Sequence, residues 1–197
     1  MNKPTDAEIQ ECIDRAAIQN VLGLYCRAID RLDVELLKSV YHPDGADDHG
    51  AINANAHEFA DSIIAMLKEA CVYTMHTVTH SVIDCGENEA RAESYFIAAH
   101  TVSAGEESIL RVFGAAYLQE QREARRIDQR HEFLCSGRYL DQFHKRDGCW
   151  KIFRRKMTLE WGVCRPEAMV SEGMPAAFRV TGSRDRGDPV YGLLNVK

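Results

Sequence analysis

The stretch YCRAIDRLD, residues 25–33, reads as the last turns of an amphipathic helix and places two carboxylates, Asp30 and Asp33, at its end. That end carries the negative pole of the helix dipole, so an acid there costs roughly a few tenths of a kcal/mol unless something uses it. Asp33 has an ordinary use: it precedes the apolar run Val34-Glu35-Leu36-Leu37 and suits the N-cap of a second helix. Asp30 has none. Ile18, Val21, Leu22, Tyr25 and Ile29 follow i, i+3, i+4 spacing, and Asp30 falls on the flank of that stripe, where an acid either reaches the edge of a cavity or sits on a solvated rim. Periodicity leaves both open.

Histidines supply the complementary chemistry. A neutral imidazole accepts a proton near physiological pH, and a neighbouring carboxylate fixes its tautomer and stabilises the imidazolium. His76 and His80 share parity in MHTVTHSVID and are expected on one face of a strand, while His100 shares its face with Phe96 and Ala98. Taken singly, each also fits a hydrogen-bonded core or rim histidine. As metal ligands His76 and His80 fail on spacing, because on a strand they stand about 13 Å apart whereas one ion needs each nitrogen at about 2.1 Å. A loop cluster of His42, Asp44, Asp47, Asp48 and His49 could supply nitrogen and oxygen ligands, but it matches no ligand template, and Asp beside Pro and Gly forms turns without a metal. The sequence holds no phosphate-binding glycine loop or nucleophile elbow, which speaks against nucleotide cofactors and serine hydrolysis.

The elements that must position these groups change character along the chain. Thr5 and Glu8 form a capping box for a helix running to about residue 31; further helices are expected over about 34–41 and 56–70, the last with Phe59, Ile63, Ile64 and Leu67 on one side. Residues 75–84, 89–104, 132–144 and 149–161 are rich in β-branched and aromatic residues and are separated by turn signals. Helices followed by strands predict an α+β fold with an antiparallel sheet. Glu106 to Arg130 reads either as a strand running into a helix or as an insertion over one end of the sheet. Residues 1–162 are expected to form one domain and residues 163–197, with Pro166, Pro175 and Pro189, an irregular tail, either disordered or draped over a neighbouring subunit.

Composition narrows the partners. With 24 basic and 30 acidic residues the formal charge is -6, which offers no basic surplus for nucleic acid. The start, MNKPTDAEIQE, has no apolar core and no stretch is long enough to span a bilayer, so a soluble, cytoplasmic protein without a membrane partner is expected. Cysteines at 12, 26, 71, 85, 135, 149 and 164 are scattered and unpaired in sequence, as expected of buried reduced thiols.

The order of these parts, "YCRAIDRLDVELLKSVYHPDGADDHG", "TMHTVTHSVID", "ARAESYFIAAH" and "GRYLDQFHKRDGCWKIFRRKMTLEW", resembles the SnoaL-like branch of the nuclear transport factor 2-like superfamily over about residues 10–161. The resemblance implies a cone: a curved antiparallel sheet packed against N-terminal helices around a deep apolar pocket. Within that branch, enzymes similar to scytalone dehydratase and hexachlorocyclohexane dehydrochlorinase eliminate water or HCl without a cofactor, using an aspartate at the end of the first helix and a histidine at the head of the first long strand. By resemblance those are Asp30, orienting, and His76, the base; His100 stands where the dehydratases carry a second histidine and, with Tyr139 or His49, is expected to donate to the leaving group or an oxyanion. Tyr25, Ile29, His49, Phe96 and Tyr139 are the implied substrate-binding residues. Ile29 stands where the dehydratase has a tyrosine, His49 where a second tyrosine holds the substrate carbonyl, and Gly137 and Tyr139 near its serine and asparagine, so scytalone itself is not the expected substrate.

The function implied is a cofactor-independent lyase acting on a small apolar, aromatic or polycyclic molecule, in a homo-oligomer (dimer or trimer). The alternatives are another cofactor-free reaction in the same pocket (aldol-type cyclisation, isomerisation or deformylation of a diaryl diol) or a non-catalytic ligand-binding or dioxygenase small-subunit-like module.

Overall fold

In a computed structural model, which describes residues 3–170, 172–178 and 180–194, helix α1 (Asp6–Asp30) starts at the Thr5/Glu8 capping box and buries Ile18, Val21, Leu22, Tyr25, Ala28 and Ile29. The readings of Met1, Asn2 and a few tail positions lie outside the described residues. Helix α2 (Val34–Ser39) is capped by Asp33, whose Oδ1 accepts from the Leu36 backbone N–H at 3.2 Å. It ends two residues before the expected limit because Tyr41 already belongs to a strand.

That strand, β1 (Tyr41–Asp48), occupies a segment read from the sequence as turn and loop. Pro, Gly and three acids disfavour a strand, yet β1 lies parallel to β6 (Cys149–Pro166), with an irregularity between Tyr41 and Ala46 where Pro43 and Asp44 turn out to solvent. A short β2 (Asn53–Asn55) flanks it, followed by α3 (Ala56–Ala70), whose capping residue Asn55 accepts from the His57 N–H at 2.9 Å.

Strands β3 (Cys71–Cys85), β4 (Glu89–Val102), β5 (His131–Arg146) and β6 form an antiparallel meander. Between β4 and β5 the ambiguous segment resolves as helix α4 (Glu106–Glu123), kinked at Gly114, whose φ of 81° is left-handed. The sheet order is β2-β1-β6-β5-β4-β3. It curves and stays open, with α1 and α3 packed inside the curve, giving the expected α+β cone apart from the parallel β1–β6 junction. No helix among the described residues is long and apolar enough to cross a membrane.

Strand β6 continues to Pro166, past the boundary at residue 162. Beyond it the described tail residues carry one 3-10 turn (Pro175–Ala177) and a short helix α5 (Val190–Leu193) and fold back on this chain rather than away from it. Arg31 donates to the Ser183 carbonyl at 2.7 Å, Tyr191 donates to Asp33 at 3.0 Å, and Arg184 donates to the carbonyls of Leu67 and Cys71 at 3.2 and 2.5 Å.

Candidate active site

The inner faces of α1, α3, α4, β3, β4, β5 and β6 line a cavity of about 400 Å³. Its walls are mostly apolar, with Ile29, Ile63, Phe96, Val112, Phe133 and Met157 contributing. Tyr25, His49, His76, His100 and Tyr139 line it too, so the structure brings together the residues that the resemblance implied for the site, with Asp30 directly behind His76.

Asp30 is the last residue of α1 and is only 7 % exposed. Its Oδ1 accepts from Nδ1 of His76 at 2.8 Å and its Oδ2 accepts from the His76 backbone N–H, also at 2.8 Å. A carboxylate only accepts, so His76 carries its neutral-state proton on Nδ1 and keeps Nε2 as a bare base. Spent on this pair, the energetically poor position of an acid at a helix C-terminus has its explanation.

His100 stands edge-on to His76, ring centroids 5.1 Å apart. Burial, with the neighbouring His76 and Arg184, pushes its pKa down to about 4, so the ring is neutral at physiological pH. Its Nδ1 lies 3.3 Å from the Phe133 carbonyl, which can only accept, so the one proton of the neutral ring is committed there. In that tautomer the Nε2 facing the cavity is an acceptor.

His80 departs from its predicted face. A bulge between Val78 and His80 inserts a residue, so Val78 pairs with inward-facing Phe96 but His80 pairs with Tyr95 on the outside, where the rings stack at 4.5 Å. One extra residue reverses side-chain parity beyond it. The loop cluster also separates: His42 contacts the His144 carbonyl, Asp44 pairs with Arg146 at 2.7 Å, and Asp47 is bound by Tyr41 and His49.

Two buried features went unread. Arg155 and Asp141 form a fully buried bidentate pair, both contacts 2.8 Å, with the guanidinium 4.1 and 4.0 Å from the ring centres of Tyr25 and Tyr139. Burial pushes the Asp141 carboxyl up while Arg155 opposes it, and burial raises both phenols, which stay protonated. Strand parity held the signal: Tyr139, Asp141 and Phe143 alternate inward, so Asp141 is a charge at a core position that demands a partner. Asp47 is the other, wholly buried and joined to His49. Burial raises the cavity thiols of Cys71 and Cys135 to about 11, which disfavours their thiolate forms at neutral pH.

A family model described as SnoaL-like domain matches residues 10–156. The chain belongs to the SnoaL-like family. Among solved structures this SnoaL-like protein is similar to a provisionally assigned scytalone dehydratase from Novosphingobium aromaticivorans, with 18 % identity over 81 % of this chain and 96 % of that one at a TM-score of 0.61. A hexachlorocyclohexane dehydrochlorinase, LinA-type3, from Novosphingobium barchaimii matches at 15 % identity, 82 % and 95 % coverage and TM-score 0.61. The Kfla4162 protein from Kribbella flavida matches at 17 % identity, 77 % and 93 % coverage and TM-score 0.59. At these identities the likeness shows the shared cone fold. No functionally curated protein matches the sequence.

Proposed function

We propose that this SnoaL-like protein is a cofactor-independent lyase that eliminates water from a small, largely apolar, aromatic or polycyclic substrate. The observation that carries the reading is the Asp30–His76 pair, at 2.8 Å, on the wall of an apolar cavity of about 400 Å³. A substrate carbon bearing an acidic hydrogen presents it to Nε2 of His76. As the C–H bond breaks its electron pair forms the C=C bond, and the C–O bond to the neighbouring hydroxyl breaks. The His76 imidazolium, stabilised by Asp30, returns its proton to the departing hydroxide, so water leaves and the pair is restored. General base catalysis of this kind supplies about 10²- to 10⁴-fold, and the shaped cavity adds positioning. The solved dehydratase and dehydrochlorinase relatives lend support through a common fold and through the eliminations their names describe.

The test is product analysis. Purified protein in EDTA is incubated with bicyclic ketones carrying a hydroxyl β to the carbonyl, and products are read by mass spectrometry. Loss of one water is expected; products of unchanged mass, or release of formaldehyde, point to isomerisation, cyclisation or deformylation and overturn the elimination reading.

A further inference from the structure

The cavity holds a second His–Asp pair, and its tautomer is legible. His49 follows β1 directly and its ring stacks on Phe59, centroids 4.7 Å apart. Its Nδ1 contacts Oδ1 of the wholly buried Asp47, whose Oδ2 accepts from the Tyr41 hydroxyl. In the neutral ring Nδ1 therefore donates to the carboxylate and Nε2 is left as an acceptor. The Tyr25 hydroxyl stands 3.4 Å from that nitrogen, beyond the roughly 2.8 Å of a good O–H hydrogen bond. A ligand hydroxyl could satisfy it better.

His76, His100 and His49 thus each spend their ring proton on a protein oxygen, of Asp30, Phe133 and Asp47 respectively. The cavity's one lining cation, Arg111, is already held by Glu69 at 2.6 Å and Glu107 at 3.3 Å, among the described residues. Three imidazole acceptors suit a neutral ligand that brings hydroxyl donors, and with Arg111 held the lining has no free cation to balance a carboxylate, the Tyr25 and Tyr139 phenols being its neutral donors.

We infer that the Asp47–His49 pair is a second polar anchor of the cavity, and that the ligand is a neutral, partly aromatic polycyclic molecule with two hydroxyl donors, the one that leaves received by His100 beside the base His76, the other by His49. This deepens the elimination reading by naming the substrate class and the residue that holds its far end. It also departs from what the resemblance implied at position 49, where a tyrosine would donate to a carbonyl.

Binding, not turnover, tests it, so its failure and that of the elimination reading are separable. The full chain is titrated calorimetrically with a biphenyl bearing a para hydroxyl on each ring, with its mono- and dimethyl ethers, and with the analogue in which one hydroxyl is replaced by acetyl. The expected result is a loss of about ten-fold in affinity for each hydroxyl methylated, the size of one hydrogen bond. His49→Phe, which keeps a ring to stack on Phe59, should bind the diol and its monomethyl ether within about two-fold of each other, since it lacks the second acceptor. Equal binding of diol and ethers by the unaltered protein, no binding of the diol, tightest binding of the acetyl analogue, or an undiminished diol preference in His49→Phe overturns the inference. The ligand series on the unaltered chain decides the matter if the variant does not fold.

Discussion

Asp30 grips His76 at two points: one carboxylate oxygen accepts the ring Nδ1–H and the other the backbone N–H, each at 2.8 Å. The backbone bond holds the carboxylate in place, and its other oxygen then orients the ring. Asp30→Ala leaves a buried backbone donor and a free ring, and should cost about 1–3 kcal/mol in urea unfolding. Asp30→Asn keeps one acceptor and should cost less stability, while still disturbing the tautomer.

Histidine 100 sets an acid limit on stability. Its pKa is about 4 in the fold, against about 6.5 in the unfolded chain. Between those values the unfolded state binds the extra proton, so the full contribution is present above about pH 6.5 and is lost as pH falls toward 4. The loss is on the order of 3 kcal/mol. Urea midpoints of the unaltered protein and of His100→Phe at pH 7.5 and 4.5 should show a distinctly smaller acid-induced fall in the variant.

Asp141 and Arg155 stabilise the fold only as a couple. Asp141→Asn strands a buried guanidinium between two tyrosine rings and should cost about 3–5 kcal/mol. The double variant Asp141→Leu with Arg155→Met, which removes both charges, should be less destabilised than the single one, as measured by denaturant unfolding.

Gly137 sits at the bulge between β5 and β6, where an added Cβ would lie 1.9 Å from the Thr158 carbonyl oxygen and 3.1 Å from the Phe96 ring. Gly137→Ala should therefore lower stability by about 1–3 kcal/mol and displace Phe96, reducing ligand affinity as well.

Arg184 pins the tail to the carbonyls of Leu67 and Cys71, whose side chains line the cavity. Arg184→Ala should speed chymotrypsin cleavage between residues 172 and 194 while leaving the cooperative unfolding of the cone unchanged.

The helices and the long strands were legible because apolar spacing and end signals agreed: the Thr5/Glu8 box and the Asp33 cap stand where the residues placed them. Segment 41–48 was not, since its Pro, Gly and acids hide a strand that exists only through pairing with β6. Parity carried His100 to the cavity but failed for His80, because a bulge leaves no mark in residue types. Asp30 was legible as an anomaly at a helix end, whereas its partner His76 came from the family resemblance and not from spacing, which cannot join residues 46 positions apart. Asp47 read as one more turn-forming acid, and nothing local distinguishes it from Asp48.

The most direct measurement is kcat/KM for water elimination by EDTA-treated protein, compared with Asp30→Asn and His76→Ala that retain cooperative unfolding. Both variants should fall by about 10²- to 10⁴-fold. Turnover at the unaltered rate in either one would contradict the account.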